Sequence, residues 1–258
     1  MININHHVIR QTIDELDGLQ FNNSKPYSCK ARIFFEDRYK QILKSLPQVS
    51  EKAVGLEVGL AGGVLALLLK RVLRLKLLYS LEHPVATKAY TKKFLEKVET
   101  NNIILKPVDL RKFPYPWKDN FFDFIIFSEV MEHLIPSDIP DVIKELKRIL
   151  RKGGILIITT PNISSLLKRV NLVLGKNPIE FDLKLHEGAT FGHIREYTME
   201  ETVSILRMQD LKTIKFQYFS IDKNRNIFTR IEYAASTLIP SLGNNIMVIA
   251  KKNASPTP

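Results

Sequence analysis

The spacing of hydrophobic positions changes near Pro47. Before it, Phe35, Tyr39, Ile42 and Leu46 recur at i, i+4, i+7 and i+11, the stripe of an amphipathic helix, so the segment up to about residue 48 is predicted helical. Beyond it, short apolar runs alternate with amphipathic stretches. Strands are predicted at 54–58, 76–81, 103–108, 122–127 and 155–160, with helices at 64–72, 84–98 and 137–150. Pro84 suits the first turn of its helix, and Gly153-Gly154 is read as a break before the fifth strand. Strands alternating with helices of this length imply βαβ units and a parallel sheet. After Thr160 the regularity stops. One amphipathic run, 166–174, lies in loop-like sequence. Thr198 with Glu201 three residues on forms a capping box, which predicts a helix over 199–209. Strands at 212–220 and 245–251 follow, and 253–258 is expected to fray.

The 258 residues, 45% apolar and 25% charged, have the balance of an ordinary globular protein. Cys29 is the single cysteine, which excludes an internal disulfide and a cysteine-built zinc site and suits a cytoplasmic chain. The uncharged, leucine-rich stretch 58–69 is too short for a bilayer span of about 20 apolar residues, and the polar start with His6 and His7 reads as a disordered terminus rather than a signal peptide. The net charge of +11 favours anionic partners: nucleic acid, phosphorylated metabolites or acidic lipid headgroups.

Four pieces fall at the carboxyl ends of successive predicted strands, where an open α/β sheet binds ligands. The first is the glycine-rich turn Gly59-Leu60-Ala61-Gly62-Gly63 after Glu57. The second is Glu82 with His83, the third Asp109-Leu110, and the fourth the run from Phe122-Asp123 through Ser128-Glu129 to Glu132-His133-Leu134. Lys152-Gly153-Gly154 follows behind. In this order and spacing the pieces resemble the class I S-adenosylmethionine-dependent methyltransferases over about 54–251. A nicotinamide dinucleotide fold fits poorly, because Ala61 and Val64 replace two of its three fingerprint glycines.

The resemblance implies a Rossmann-like α/β fold, with a seven-stranded, mostly parallel sheet of order 3-2-1-4-5-7-6, strand 7 antiparallel and helices on both faces. It implies a methyltransferase domain over 51–258 carrying a lid insertion at 162–197, with the helical segment 1–50 as part of the acceptor lid. S-adenosylmethionine would be the cofactor. Gly59, Ala61 and Gly63 would wrap its methionine part, Glu57 would orient its amino group, and Glu82 beside His83 would hold the ribose. Asp109 and Leu110 would read adenine, and Ser128 and Glu129 would line the methyl end. Ala61 departs from the family's Gly-x-Gly-x-Gly loop, and alanine resists positive φ.

An oxygen acceptor needs help losing its proton, and His133 and His193 are the candidate catalytic bases. No residue is assigned as a metal ligand. The Glu129, Glu132, His133 cluster resembles one that binds magnesium in some family members, which keeps magnesium as an alternative. Trp117 reads either as packing or as a wall of the adenine pocket. The apolar stripe Leu166, Leu167, Val170, Leu174 is expected to pack on the domain, and Lys168, Arg169, Lys176 and Arg195 point to an anionic acceptor. The resulting expectation is O-methylation of a small-molecule or glycan hydroxyl. The alternatives are an RNA methyltransferase and a non-catalytic cofactor-binding protein of the same fold. The oligomeric state is open.

Overall fold

The strands of the computed structural model are β1 (Gly55–Val58), β2 (Leu78–Glu82), β3 (Ile103–Pro107), β4 (Phe122–Ser128), β5 (Leu150–Pro161), β6 (Leu211–Phe219) and β7 (Asn245–Lys252). They form one seven-stranded sheet in the order β3-β2-β1-β4-β5-β7-β6, with β7 antiparallel to both neighbours, the expected order. Residues 6–16, 19, 29–179, 192–221 and 226–253 are described. The chain divides into two units, 1–112 and 113–258.

In the first unit, β1 and β3 flank β2 in parallel, with Val58 opposite Leu81 and Glu82 opposite Pro107. This register brings three turns to one end of the strands. The Gly59 amide donates to Leu81 O at 2.8 Å and the Val108 amide to Glu82 O at 2.9 Å. The helices are α1 (His6–Leu16), α2 (Cys29–Ser45), α3 (Val64–Leu73), α4 (Pro84–Ala89) and α5 (Lys92–Thr100). His6 and His7, expected in a disordered terminus, open α1 instead. Ile9, Ile13 and Leu16 recur at helical spacing and are buried. Arg71 of α3 clamps α1 by donating to Thr12 Oγ1 at 2.8 Å and pairing with Glu15. Of the predicted stripe, Ile42 and Leu46 are buried; the side chain of Phe35 lies outside the described residues.

The single helix predicted over 84–98 is two helices. Tyr90 is extended (φ −67°, ψ 140°), and Thr91 Oγ1 accepts the Phe94 amide at 3.1 Å. An N-cap in mid-run restarts the helix, a signal that the apolar periodicity hides.

In the second unit, α6 (Ile139–Ile149) leads into β5. Gly153-Gly154 lies inside β5 rather than before it: the ladder to β4 shifts register between Phe122 and Phe124, and Gly153 takes φ 77°. A Cβ on Gly154 would meet Asp123 O at 2.9 Å, so the glycines permit a bulge that keeps one long strand. The segment 162–197 starts and ends on a bridge between Asn162 and Tyr197, and its residues 180–191 lie outside the described residues. Within it, α7 (Leu166–Val173) buries no residue. Leu166 and Leu167 are half-buried, but Val170 and Leu174 face solvent, against the expected packed stripe. The capping box at Thr198 forms as predicted and opens α8 (Met199–Met208). A helix that the sequence did not reveal, α9 (Ile227–Leu238), lies between β6 and β7 and is capped by Asn226 and Thr229. The residues after 253 expected to fray lie outside the described residues. No helix among the described residues is long and apolar enough to cross a membrane.

Candidate functional site

The glycine loop begins where β1 ends. Gly59 (φ 87°) and Gly63 (φ 73°) are left-handed, and so is Ala61 at φ 44°, the conformation that alanine resists. A Cβ on Gly63 would sit 3.0 Å from the Phe94 ring, so glycine is required there twice over. Glu82 ties the loop down. Its Oε2 accepts the Ala61 amide at 2.9 Å, and its Oε1 accepts the His83 amide at 2.7 Å. The Tyr90 hydroxyl lies 2.9 Å from Ala61 O and 3.1 Å from Glu82 Oε2, able to donate to either. Burial first, and then the Glu82 charge, push the Tyr90 hydroxyl far above its ordinary range, so it stays a proton donor. His83 caps α4 through Nδ1, which accepts the Val85 amide at 3.3 Å.

Glu57 is fully buried on β1 and accepts one bond from Ser80 Oγ at 3.1 Å. Desolvation raises its pKa from 4.5 to about 8, and the Glu82 charge adds to that, so it is a neutral acid at pH 7. Asp109 behaves oppositely. Its two oxygens accept Arg111 Nε and Nη2, each at 3.1 Å, and this pairing holds its carboxyl below the usual carboxylate range. Leu110 beside it is buried.

In the second unit, Ser128 and Glu129 end β4. Ser128 Oγ lies 2.7 Å from Thr159 Oγ1, which donates to Glu129 Oε1 at 2.8 Å. Asn245 Nδ2 reaches both Glu129 oxygens at 3.3 Å, and Glu129 sits at φ 53°. The carboxylate of Glu129 is thus engaged by Thr159 and Asn245, and among the described residues the group that could hold a metal ion is Glu132, His133 and His193 instead. His193 therefore stands where the sequence cluster placed Glu129.

The two candidate bases come together, with ring centroids 5.1 Å apart in an edge-on arrangement. His133 Nδ1 lies 3.2 Å from Gly192 O, which can only accept, so that nitrogen carries the proton. Burial lowers the His133 pKa, which keeps the ring neutral at pH 7. His193 Nδ1 lies 3.0 Å from Glu196 Oε1, a carboxylate oxygen that can only accept, so this nitrogen too carries a proton. In a neutral ring so tied, Nε2 is the lone-pair atom. Glu132 is buried and accepts Thr160 Oγ1 at 3.0 Å on Oε2. Glu196 is also buried. Burial by itself would raise its pKa, but His193 and the paired Lys168 outweigh that and hold it below the ordinary value.

Two basic residues read from sequence as acceptor clamps are already committed. Lys168 pairs with Glu196, and Arg195 pairs with Glu201 while its guanidinium lies 5.1 Å from the Tyr197 ring centre. Trp117 is buried edge-on against Phe122, which supports packing. Tyr90, Thr159, Glu196 and Asn245 were not found as site residues from sequence. Only Glu196 carried a signal, its three-residue spacing from His193.

Residues 56–158 match the family described as a methyltransferase domain. No curated protein matches the chain. Among solved structures, an S-adenosylmethionine-dependent methyltransferase from Archaeoglobus fulgidus is similar at 16% identity and TM-score 0.57, covering 84% of this chain and 94% of that one. Phosphoethanolamine N-methyltransferase 2 from Haemonchus contortus, in complex with S-adenosyl-L-methionine, is similar at 13% identity and TM-score 0.56, covering 84% of this chain and 53% of that one. The [4+2]-cyclase SpnF shares the fold at 14% identity and TM-score 0.58, covering 96% and 93%, so the fold by itself does not fix the reaction. Residues 56–158 therefore carry a methyltransferase domain, on a sheet of the strand order expected of the class I S-adenosylmethionine-dependent fold that these solved structures share.

Proposed function

We propose that this methyltransferase acts on a hydroxyl oxygen of a small-molecule or glycan acceptor, with His193 as the general base. The observation that carries the proposal is the 3.0 Å contact between His193 Nδ1 and the buried Glu196 carboxylate. S-adenosylmethionine supplies an activated methyl group on a sulfonium, so the protein's work is alignment and proton removal.

The residues of the first unit fit that cofactor. Glu82 is a carboxylate at a strand end with lone pairs beyond those given to Ala61 and His83, which suits a ribose diol. Glu57 and the left-handed loop fit the methionine part. Asp109 suits adenine once the half-exposed Arg111 side chain shares it. Ser128 and Glu129 are assigned to the methyl end.

In the second unit, Glu196 fixes the His193 ring and favours the imidazolium that forms when Nε2 takes the acceptor proton. His133, neutral and tied to Gly192 O, positions the neighbouring ring. The bridge between Asn162 and Tyr197 brings the two ends of 162–197 together, which suits an inserted acceptor lid. Because Lys168 and Arg195 are paired within the protein, the anionic character of the acceptor rests on the net charge and on Arg169 and Lys176.

A second reading is favoured by the same cluster. Glu132, His133 and His193 would hold a divalent ion, with each Nδ1 proton secured by Gly192 O or Glu196 as ligating histidines require. Such an ion would polarise the acceptor oxygen. Two imidazole nitrogens suit a transition dication better than magnesium. Transfer of labelled methyl to hydroxyl acceptors, run with and without a chelator, tests both. Chelator-resistant transfer supports His193 as base, chelator-sensitive transfer supports the ion, and transfer confined to RNA or nitrogen acceptors overturns the proposal.

A further inference from the structure

Helices α7 and α9 pack on one another and turn apolar faces outward. On α7, Val170, Val173 and Leu174 share one side, and Val173 is 85% exposed. On α9, Ile227, Ile231 and Leu238 recur at i, i+4 and i+11, a helical stripe of the kind that ordinarily faces a core, yet Leu238 is 84% exposed. Phe228 widens the stripe and is exposed as well. The inner side is where the fold holds the pair. Glu232 is buried, accepting the Leu167 amide at 3.0 Å and Asn244 Nδ2 at 3.1 Å. The outward faces are thus a property of two anchored helices and not of a frayed end.

Among the described residues, the exposed charges of α7, α9 and the turn after α7 have one sign. The sequence of α7 contains no acidic residue, and the single acid of α9 is the buried Glu232. Arg169, Lys176 and Arg230 are exposed, and none makes an ion pair among the described residues. An apolar helical face with a basic border and, among the described residues of α7 and α9, no exposed carboxylate matches a bilayer surface of anionic lipid, where acyl chains take the apolar side chains and headgroups take the cations. A protein partner would need an apolar patch ringed with acids. A second copy of this face would bring like charges together.

We propose that α7 and α9 form a peripheral membrane-docking surface for anionic bilayers, in which Val173, Phe228, Ile231 and Leu238 enter the headgroup boundary and Arg169, Lys176 and Arg230 contact lipid phosphates. The surface is independent of the proton-handling histidines and would bring a bilayer-held acceptor to the enzyme. The test is flotation of the full chain with vesicles of phosphatidylcholine alone and of phosphatidylcholine mixed with phosphatidylglycerol. Parent protein is expected to float with the mixed vesicles and not with the neutral ones. Val173→Glu combined with Leu238→Glu should lower the partition at least tenfold and leave S-adenosylmethionine affinity unchanged. No flotation of the parent, or equal flotation of parent and variant, overturns the proposal, the latter because net charge would then suffice. Concentration-dependent dimerisation that the variant abolishes, without vesicle binding, assigns the face to a second copy and overturns it too. Should the double variant fail to fold, Phe228→Trp serves as a probe, since native Trp117 is buried. A blue shift of its emission on mixed vesicles supports insertion, and an unshifted spectrum overturns it.

Discussion

The backbone amide of Ala61 donates to Oε2 of Glu82 at 2.9 Å, across twenty-one residues of sequence. The carboxylate proposed to hold the cofactor's ribose therefore also sets the shape of the loop proposed to wrap its methionine part. Tyr90 completes the tie through Ala61 O and the same carboxylate. Glu82→Ala removes both functions. Binding of S-adenosylmethionine, measured calorimetrically, should weaken by about 1.5–3 kcal/mol, the range for hydrogen bonds to a charged group. Unchanged affinity in a folded variant would rule out the ribose assignment. Tyr90→Phe should cost about 0.5–1.5 kcal/mol of the same affinity.

Ala61 at φ 44° carries strain that the family's usual glycine lacks. A left-handed L-residue costs roughly 1–2 kcal/mol, whereas glycine loses about 0.4–1 kcal/mol more through the freedom of the unfolded chain. Ala61→Gly should therefore be neutral to stabilising by about 1 kcal/mol, read from urea midpoints. A clear loss of stability would show that the alanine methyl makes a contact worth more than the strain.

Glu57 predicts a pH dependence. Its pKa is about 8 when folded and 4.5 ordinarily, so between those values the unfolded chain releases a proton that the folded chain keeps. Stability from this group is thus highest below pH 4.5, falls as pH rises toward 8, and is flat beyond. Glu57→Gln removes the titration while imitating the neutral acid. The variant should gain on the parent steadily from pH 5 to pH 8 in urea unfolding, by a few kcal/mol in all. Parallel curves for the two proteins would show that Glu57 is hydrated and ionised.

The parts of the fold that could be read in sequence share one physical cause. Strand β4 and the 155–158 part of β5 are buried runs of Phe, Ile and Leu, and burial writes itself into consecutive apolar residues. Helix α9 escaped because its apolar stripe faces solvent, so periodicity pointed to no core, and because Asn226 and Thr229 form an atypical capping box. Gly153-Gly154 looked like a stop because a bulge and a turn ask for the same residue. At the candidate site, Glu82 and Asp109 were visible as acids at strand ends. The Tyr90 hydroxyl, the Asn245 amide and the turning of Glu129 toward Thr159 depend on where distant segments meet, which no local spacing encodes. His133 and His193 are sixty residues apart, and nothing short of the fold brings their rings to 5.1 Å.

Glu196 offers the sharpest separation between a working dyad and a structural one. It is buried, and its two oxygens are divided between His193 and Lys168. Burial alone would favour its neutral form, but the hydrogen bond from His193 and the Lys168 cation outweigh this and hold its pKa below the ordinary carboxylate value, so it is an anion at neutral pH. Glu196→Gln keeps the shape and an acceptor oxygen for the Nδ1 proton, and removes only the charge. A positioning residue that stabilises a forming imidazolium should then lower kcat by about 10- to 100-fold, below the 10²–10⁴ range of losing the base itself, with KM for the acceptor nearly constant. His193→Ala should cost the larger amount. If the cluster instead binds a dication, Glu196→Gln should weaken metal retention, and added metal should restore kcat, since partners of ligating histidines tune affinity about 10- to 100-fold. A stability loss with kcat untouched would leave Glu196 as the anchor of Lys168 alone, and would remove the support for His193 as the base.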